Sequence, residues 1–185
     1  GFDPDKNPKG SIWNMAVFNN RIYLSTSYED IIQVWRTNDE EPRLNDWTLV
    51  VDGFENPLNT STLAMGVFKD HLYISGTKPL PLSYFIPPGF DLIRIDKEDN
   101  WETVVGGRSL IPLGTIIEEE AGSFPSLWSG FSNPFNVYGW QIQEYKDRLL
   151  ISTFDDSTNM EVILTTLLEN RVALAELIGE KVTNI

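Results

Sequence analysis

The sequence predicts an all-β fold made of four-stranded antiparallel sheets, with one α-helix near its C-terminal end. A seven-residue phrase that begins with Gly-Phe and ends with Asn occurs three times, beginning at Gly1, Gly53 and Gly130. We call it the Gly-Phe phrase. Each copy is followed by two apolar segments rich in β-branched and aromatic residues and joined by a two-residue turn. The repeated unit is therefore a small sheet, which is typical of β-propeller blades or of solenoid turns.

The first two strands of each unit, A and B, are predicted to form a hairpin. Strand A covers 12–18, 63–68 and 140–145, and strand B covers 21–26, 71–76 and 148–153. The turns between them are Asn19-Asn20, Lys69-Asp70 and Lys146-Asp147. Asn and Asp tolerate the positive φ that a two-residue hairpin turn requires, so these turns favour antiparallel pairing.

The first two copies continue into two further strands. Strand C is predicted over 31–36 and 91–96, and strand D begins at Trp47 and Trp101. Four short strands joined by turn residues form one antiparallel meander.

A helix replaces strand C in the third copy. Thr158 and Glu161 have the spacing of a capping box, an apolar stripe follows them, and Gly179 ends the stripe. Such a stripe packs on its own domain, docks a partner, or leads into further blades.

The turn between strands C and D is acidic and precedes a tryptophan in both complete copies. It contains Asn38 and Asp39 before Trp47, and Asp96 to Asn100 before Trp101. These turns resemble the Asp-box (BNR-like) and kelch-like repeats of bacterial and archaeal β-propellers, although both lack the glycine of an Asp-box. The resemblance covers residues 1 to about 157 and implies the same blade fold.

The predicted domain organisation follows from these units. Residues 1–157 form propeller blades, with blade 1 at about 11–53, blade 2 at about 62–106 and a partial blade 3 at about 138–157; the helix occupies 158–179. Propellers close with about 4 to 8 blades, so about two and a half blades leave the ring incomplete. We expect the missing blades to come from the same precursor, from a partner chain, or from self-association.

Composition excludes several classes of function. With 14 basic and 27 acidic residues the net charge is -13, which opposes binding to nucleic acid or to anionic membranes. The chain contains no cysteine, and its sequence contains no apolar run of the roughly 18 to 20 residues that would cross a bilayer. These features favour a secreted or cell-surface protein of a prokaryote.

The long loops are predicted to gather at one face of the propeller, the top, where strand B leads into strand C. The loop after the second strand B contains Tyr84 and Phe85, and the connection 106–129 is long and acidic. Long loops on a rigid scaffold carry function in many proteins, and they also cover cores or touch neighbouring chains.

Acidic pairs follow strand B in the first and third copies. They are Glu29 with Asp30 and Asp155 with Asp156, and Tyr28 and Tyr138 lie close to them in sequence. These six residues, with Tyr84 and Phe85 added, form the predicted ligand-binding set of eight residues. Solvated loop acids are the alternative interpretation.

Two classes of function follow from this set. The first is a binding module whose top face holds a glycan, a peptide or a protein partner. The second is a hydrolase or lyase acting on a glycan, in which Glu29, Asp30, Asp155 and Asp156 supply acid and base. The sequence favours the first, because it contains no recognisable catalytic set.

No cofactor is predicted. Asp3, Asp5 and Asn7 have the alternate spacing of calcium ligands, but Pro8 follows where such a loop needs glycine, so a turn is favoured over a calcium site. His71 aligns with Arg21 and Arg148, at the face opposite the long loops, so we assign it no catalytic role.

Overall fold

The computed structural model describes residues 5, 7, 10–29, 31–54, 59–78, 89–106 and 127–169, which form two four-stranded antiparallel sheets and a two-stranded hairpin. The first sheet contains β1 (Ser11–Phe18), β2 (Arg21–Tyr28), β3 (Ile31–Thr37) and β4 (Trp47–Asp52). The second contains β5 (Ser61–Phe68), β6 (His71–Thr77), β7 (Asp91–Ile95) and β8 (Trp101–Val105). The third layer contains β9 (Asn136–Tyr145) and β10 (Arg148–Asp155), which precede α1 (Ser157–Glu169).

The strands of each four-stranded sheet pair in chain order, so each sheet is a meander, and the prediction of an all-β fold is confirmed. One strand begins earlier than predicted. β9 starts at Asn136 rather than at Trp140, because Asn136 and Tyr138 pair with Asp155 and Phe154 of β10. Tyr138 therefore belongs to a strand and not to a loop.

Two of the three hairpin turns have positive φ at both residues, as predicted, whereas in the Lys69-Asp70 turn only Lys69 does, with a φ of 52°. Asn19 and Asn20 have φ of 48° and 57°, and Lys146 and Asp147 have φ of 47° and 56°. Two successive positive φ values define a type I′ turn, whose twist matches that of the flanking strands. The turn chemistry read from the sequence therefore sets the register of these hairpins.

The first strand of every layer contains a β-bulge at the same place. The register shifts between Ile12 and Asn14 in β1, between Thr62 and Ala64 in β5, and at the corresponding point of the pairing between β9 and β10. The bulged residues are Trp13, Leu63 and Trp140. A bulge redirects a side chain and is a specific feature of a fold, and all three layers share it at this position.

The first hydrophobic core lies between the first and second sheets. Met65 and Val67 of β5 pack against it, together with Ala16 of β1. Its buried side chains come from both sheets: Phe18, Tyr23, Ile32, Val34, Val51, Phe54, Leu72, Ile74, Ile93 and Ile95.

The second core lies between the second sheet and the third layer, where Ile142 of β9 meets Ala64 and Tyr73. Gly66 allows this approach, since a Cβ there would lie 2.6 Å from Cγ2 of Ile142 and 2.7 Å from its carbonyl oxygen. Any larger residue at this position would force the layers apart. The second sheet is therefore covered on both faces.

Equivalent polar links hold successive layers in the same orientation. The hydroxyl of Thr62 donates to Oγ of Ser25 at 2.6 Å, and the hydroxyl of Ser75 donates to the carbonyl oxygen of Gly139 at 2.8 Å. Ser25 and Ser75 occupy the same position of strand B, as the pairings of β2 and β6 show. Each link thus joins the second strand of one layer to the first strand of the next layer, at the same position.

A further link joins the first two sheets near the hairpin end. Asp99, in the turn between β7 and β8, accepts a hydrogen bond from the hydroxyl of Tyr23 at 2.6 Å and lies 2.7 Å from Nε of Arg36. Burial of Tyr23, reinforced by its hydrogen bond to Asp99, raises the pKa of the phenol well above its ordinary value. The acidic turn that suggested an Asp-box therefore connects two sheets.

The asparagine that ends the first and second Gly-Phe phrases is held by a polar side chain of the third strand, whereas Asn136, which ends the third phrase, donates to the carbonyl oxygen of Gly130 at 2.9 Å. Asn7 donates to Oε1 of Gln33 at 2.7 Å, and Asn59 donates to Oδ2 of Asp91 at 2.7 Å. The carboxamide oxygen of Asn7 also accepts the N–H of Gly10. The two buried amides fix the chain where it enters each sheet, which explains why the phrase recurs.

Asp91 forms a buried ion pair with Lys78, directly after β6. The ammonium of Lys78 also donates to Oδ1 of Asn59 at 2.9 Å, and the hydroxyl of Ser129 donates to the second oxygen of Asp91 at 2.5 Å. This cluster joins β7 to the 3-10 turn Ser129–Ser132, which leads into β9. It therefore sets the position of the third layer on the second sheet.

The helix begins one residue before the predicted start. The N–H of Ser157 donates a hydrogen bond to Oδ1 of Asp155 at 2.9 Å. The first N–H of the helix is therefore satisfied by a carboxylate that precedes the helix, and not by the hydroxyl of Thr158. The segment predicted beyond Glu169, including Gly179, lies outside the described residues. Among the described residues no helix has the length and apolar character needed to span a membrane.

The buried ion pair yields a stability prediction. Asp91→Asn keeps the shape of the side chain but leaves the Lys78 ammonium buried without a countercharge, so we expect a loss of about 3 to 5 kcal/mol in the free energy of unfolding. The matched control is the double variant Lys78→Met with Asp91→Asn, which buries no unpaired charge and should lose less. Urea unfolding followed by tryptophan fluorescence measures both, and equal losses would contradict this account.

Candidate functional site

Three aromatic side chains form a shelf on the third layer: Trp140 and Phe154 are exposed, and Tyr138 is half-buried. Tyr138 and Phe154 are stacked, with ring centroids 5.8 Å apart and planes 27° apart. Trp140 lies 6.1 Å from Phe154 and 6.3 Å from Tyr138. Trp140 is 53% exposed and Phe154 is 40% exposed, so the rings face outward from the stack of layers. We refer to Tyr138, Trp140 and Phe154 as the aromatic shelf.

The shelf departs from the repeat at a single cross-strand pair. Tyr138 pairs with Phe154 two residues before the bulged Trp140 of β9, and Gly139 pairs with Thr153 between them. At the same position the first sheet pairs Ser11 with Ser27, and the second pairs Ser61 with Thr77. Two small polar residues have thus been replaced by two large aromatic ones in the third layer alone. The core does not require this change, because both rings lie on a face that no described layer covers.

The bulge at Trp140 turns its indole towards this pair. Sequence reasoning assigned Trp140 to packing between blades, and it did not identify Phe154. The signal that would have found Phe154 is its cross-strand alignment with Tyr138, which depends on the extended start of β9. Tyr138, in contrast, belongs to the predicted ligand-binding set.

Asp155 directly follows Phe154 in β10 and is held in its charged form. Its Oδ2 accepts from the amide of Asn133 at 2.9 Å, while Oδ1 accepts the N–H of Ser157. Hydrogen bonds from Ser157 and then from Asn133 lower the pKa of this carboxyl below its ordinary value. Asn133 belongs to the third Gly-Phe phrase, so that phrase helps to fix the Asp155 carboxylate at the end of β10.

Asp156 interacts with the start of the helix and not with the aromatic shelf. Its side chain is buried and accepts from the amide of Asn159, and its N–H donates to the carbonyl oxygen of Phe135 at 2.9 Å. A buried carboxylate at this position stabilises the start of α1 through the helix dipole. Of the predicted set, Tyr138 and Asp155 therefore lie in the hairpin of β9 and β10, while Asp156 turns inward.

Tyr28 and Glu29 lie at the end of β2, on the first sheet. Glu29 has a φ of 50°, and its carboxylate accepts a hydrogen bond that raises the pKa of the Tyr28 phenol. The whole second sheet lies between this pair and the third layer. Since packed sheets are spaced about 10 Å apart, Glu29 and Asp155 are separated by about two such spacings.

The remaining predicted residues, Asp30, Tyr84 and Phe85, lie outside the described residues. So does the acidic stretch of the long connection at 107–126. Within the part of the chain that the structure describes, no three His, Cys, Asp or Glu side chains are grouped so that they could hold a metal ion.

A small cavity of about 100 Å³ lies at the opposite, hairpin end of the second sheet and includes His71. Its polar groups are engaged within the fold. Arg94 is paired with Glu102, and Asp96 accepts the N–H groups of Glu98 and Asn100 at 2.9 Å. These interactions shape the turn between β7 and β8, and they do not aim a reactive group into the cavity.

The charge of Asp155 provides a test of the site geometry. Removing the amide donor in Asn133→Ala should raise the pKa of the Asp155 carboxyl towards its ordinary value, because that donor stabilises the ionised form. The stability that ionised Asp155 contributes is present above its unfolded pKa and is lost as pH falls through the lower folded pKa. Carboxyl ¹³C chemical shifts titrated by NMR measure this pKa. Gln143→Ala, which removes an exposed amide on β9, is the control, and an unchanged titration in Asn133→Ala would contradict the assigned contact.

Comparisons with protein-family models, with curated protein sequences and with solved structures give no match to this chain. The chemistry of the site is therefore inferred from the residues of this chain alone. Those residues are three clustered aromatic rings, of which Tyr138 and Phe154 are stacked, with one carboxylate held ionised and one amide at the same end of β9 and β10.

Proposed function

We propose that this chain is a binding module that holds a glycan on the aromatic shelf. The observation that carries the proposal is the replacement of a Ser-Ser or Ser-Thr pair by stacked Tyr138 and Phe154 on an exposed face. Exposed aromatic rings cost free energy in water, so a grouped set of them marks a binding surface. Trp140 extends this surface in the same direction.

The shelf has the chemistry that a sugar ring requires. The apolar face of a pyranose stacks on aromatic rings, and its hydroxyl groups need acceptors and donors at the rim. Asp155 supplies acceptors that stay ionised, and the amide of Asn133 supplies a donor. The net charge of -13 disfavours polyanionic chains, so the preferred ligand is a neutral or cationic glycan.

We also propose that the layers are blades of a β-propeller. Repeated meanders, the shared bulge and the equivalent links between Thr62 and Ser25 and between Ser75 and Gly139 support this arrangement. In such an arrangement the ends of β2, β6 and β10 open on one face, together with the shelf. A glycan-binding face of this kind suits the expected secreted or cell-surface placement.

A hydrolase gains no support from the carboxylates described. A retaining or inverting pair requires two carboxyl groups roughly 5 to 10 Å apart, one of them an acid with a raised pKa. Asp155 has a lowered pKa, Asp156 is engaged at the start of α1, and Glu29 lies beyond the second sheet. The geometry therefore favours binding without turnover.

The proposal predicts a specific loss of binding. A glycan array, with a peptide array run in parallel, identifies the ligand class. Trp140→Ala should then weaken the best glycan about 10-fold or more, since it removes a stacking surface. The measurement is isothermal titration calorimetry on the isolated chain.

Trp13→Ala is the matched control, because Trp13 occupies the same bulge in the first sheet and is similarly exposed. Binding of the glycan should be unchanged in this variant. Equal weakening by both substitutions would argue against the shelf, and selective capture of peptides alone would replace the glycan by a peptide ligand.

A further inference from the structure

The outward face of β1 is apolar and uncovered. Met15 is 63% exposed and Val17 is 71% exposed, and Ile12 extends the same surface. All eight residues of β1, from Ser11 to Phe18, are uncharged, although the chain as a whole carries a net charge of -13. An uncharged apolar strand in so acidic a protein indicates a surface that is buried on assembly.

The repeat shows what this face is built to contact. Met15 pairs with Leu24 as Met65 pairs with Ile74, so Met15 and Val17 are equivalent to Met65 and Val67 of the second sheet. Met65 and Val67 pack on the first sheet, against a core that contains Phe18 and Tyr23. The outward face of β1 is therefore equivalent to the face that β5 packs on the first sheet, but no described layer packs on it.

The third layer presents the complementary face. Tyr145 and Leu150 occupy the positions of Phe18 and Tyr23, as the paired registers of the hairpins show. Phe18 and Tyr23 are buried beneath the second sheet, whereas Tyr145 is 56% exposed and Leu150 is 50% exposed. Gln141, Gln143 and Ser152 lie on this outward face as well, and Arg148, which pairs with Tyr145, lies at its hairpin end.

We propose that the two faces bind each other between copies of this chain, head to tail. Tyr145 and Leu150 of one copy pack on Met15 and Val17 of the next, as Phe18 and Tyr23 pack beside Met65 and Val67 within the chain. The contact is heterologous, so repetition closes a ring or extends a filament according to the rotation between copies. This inference does not depend on the identity of the glycan.

The shelf and the docking residues Tyr145 and Leu150 lie on the same outward face of the third layer, at its two ends, since Phe154 alternates with Ser152 and Leu150 along β10. Tyr138 stands near the start of β9, and Tyr145 ends it at the hairpin turn. At about 3.3 Å per residue, the two are roughly 20 Å apart. Substitutions at Leu150 can therefore test assembly without altering the rings that bind the glycan.

Sedimentation velocity at rising protein concentration tests the contact. The unmodified chain should associate, and Met15→Lys or Leu150→Lys should each weaken association about 100-fold or more, because each places a lysine in a buried apolar contact. Val162→Lys on α1, which is equally exposed but lies on neither face, should associate normally. Far-UV circular dichroism checks that all variants fold.

Mixing the two blocked variants shows that the contact is head to tail. Met15→Lys retains an intact third-layer face and Leu150→Lys retains an intact β1 face, so their equimolar mixture has one working contact and should form dimers only. A contact between two β1 faces would instead leave Leu150→Lys dimeric by itself, and that result would overturn the proposal. A monomeric wild-type chain at all concentrations would overturn it as well.

The absence of cysteine from the sequence allows a direct geometric readout. Chains carrying Met15→Cys and chains carrying Leu150→Cys, mixed under mild oxidation, should form a crosslinked heterodimer in preference to either homodimer. A disulfide requires Cα atoms within about 7 Å, so the crosslink reports that the two faces meet. A statistical mixture of homodimers and heterodimers would contradict specific docking.

Discussion

The packing of each first strand on the face of the preceding sheet is the constraint on which the rest of the structure depends. The second sheet is apolar on both faces, so this meander by itself has no stable arrangement in water. The second sheet satisfies both faces, one against the first sheet and one against β9. The close approach at Gly66 and Ile142 shows how little space separates the layers. The same constraint leaves one uncovered face on each outer layer.

Polar clusters then fix how the chain enters each layer. Asn7 with Gln33, and Asn59 with Asp91 and Lys78, satisfy buried donors and acceptors that packing alone would leave exposed to an apolar environment. Because Asp91 also binds Ser129, the start of the third layer is tied to the second sheet. The aromatic shelf is therefore presented by paired strands on a rigid support, which reduces the entropy lost when a ligand binds.

The third layer has the same strand pattern as the other two layers and differs from them at one local site. Its hairpin turn, bulge and inward-facing Ile142 follow the other two copies. Its pair Tyr138 and Phe154 does not, and neither does the carboxylate that Asn133 and Ser157 hold at the end of β10. A departure on an exposed face has no role in folding, so it is where a function is expected.

The amino-acid sequence by itself determined the strands, their hairpin turns and the repeat, since β-branched segments and Asn or Asp turns act through local backbone preferences. It also located Tyr138 and Asp155 at one end of the third unit. Only the tertiary structure decided that Asp156 turns inward, that Glu29 lies a sheet away, and that Trp140 and Phe154 complete the shelf. These outcomes depend on strand register and on the stacking of layers, which join residues far apart in the chain and leave no local pattern in it.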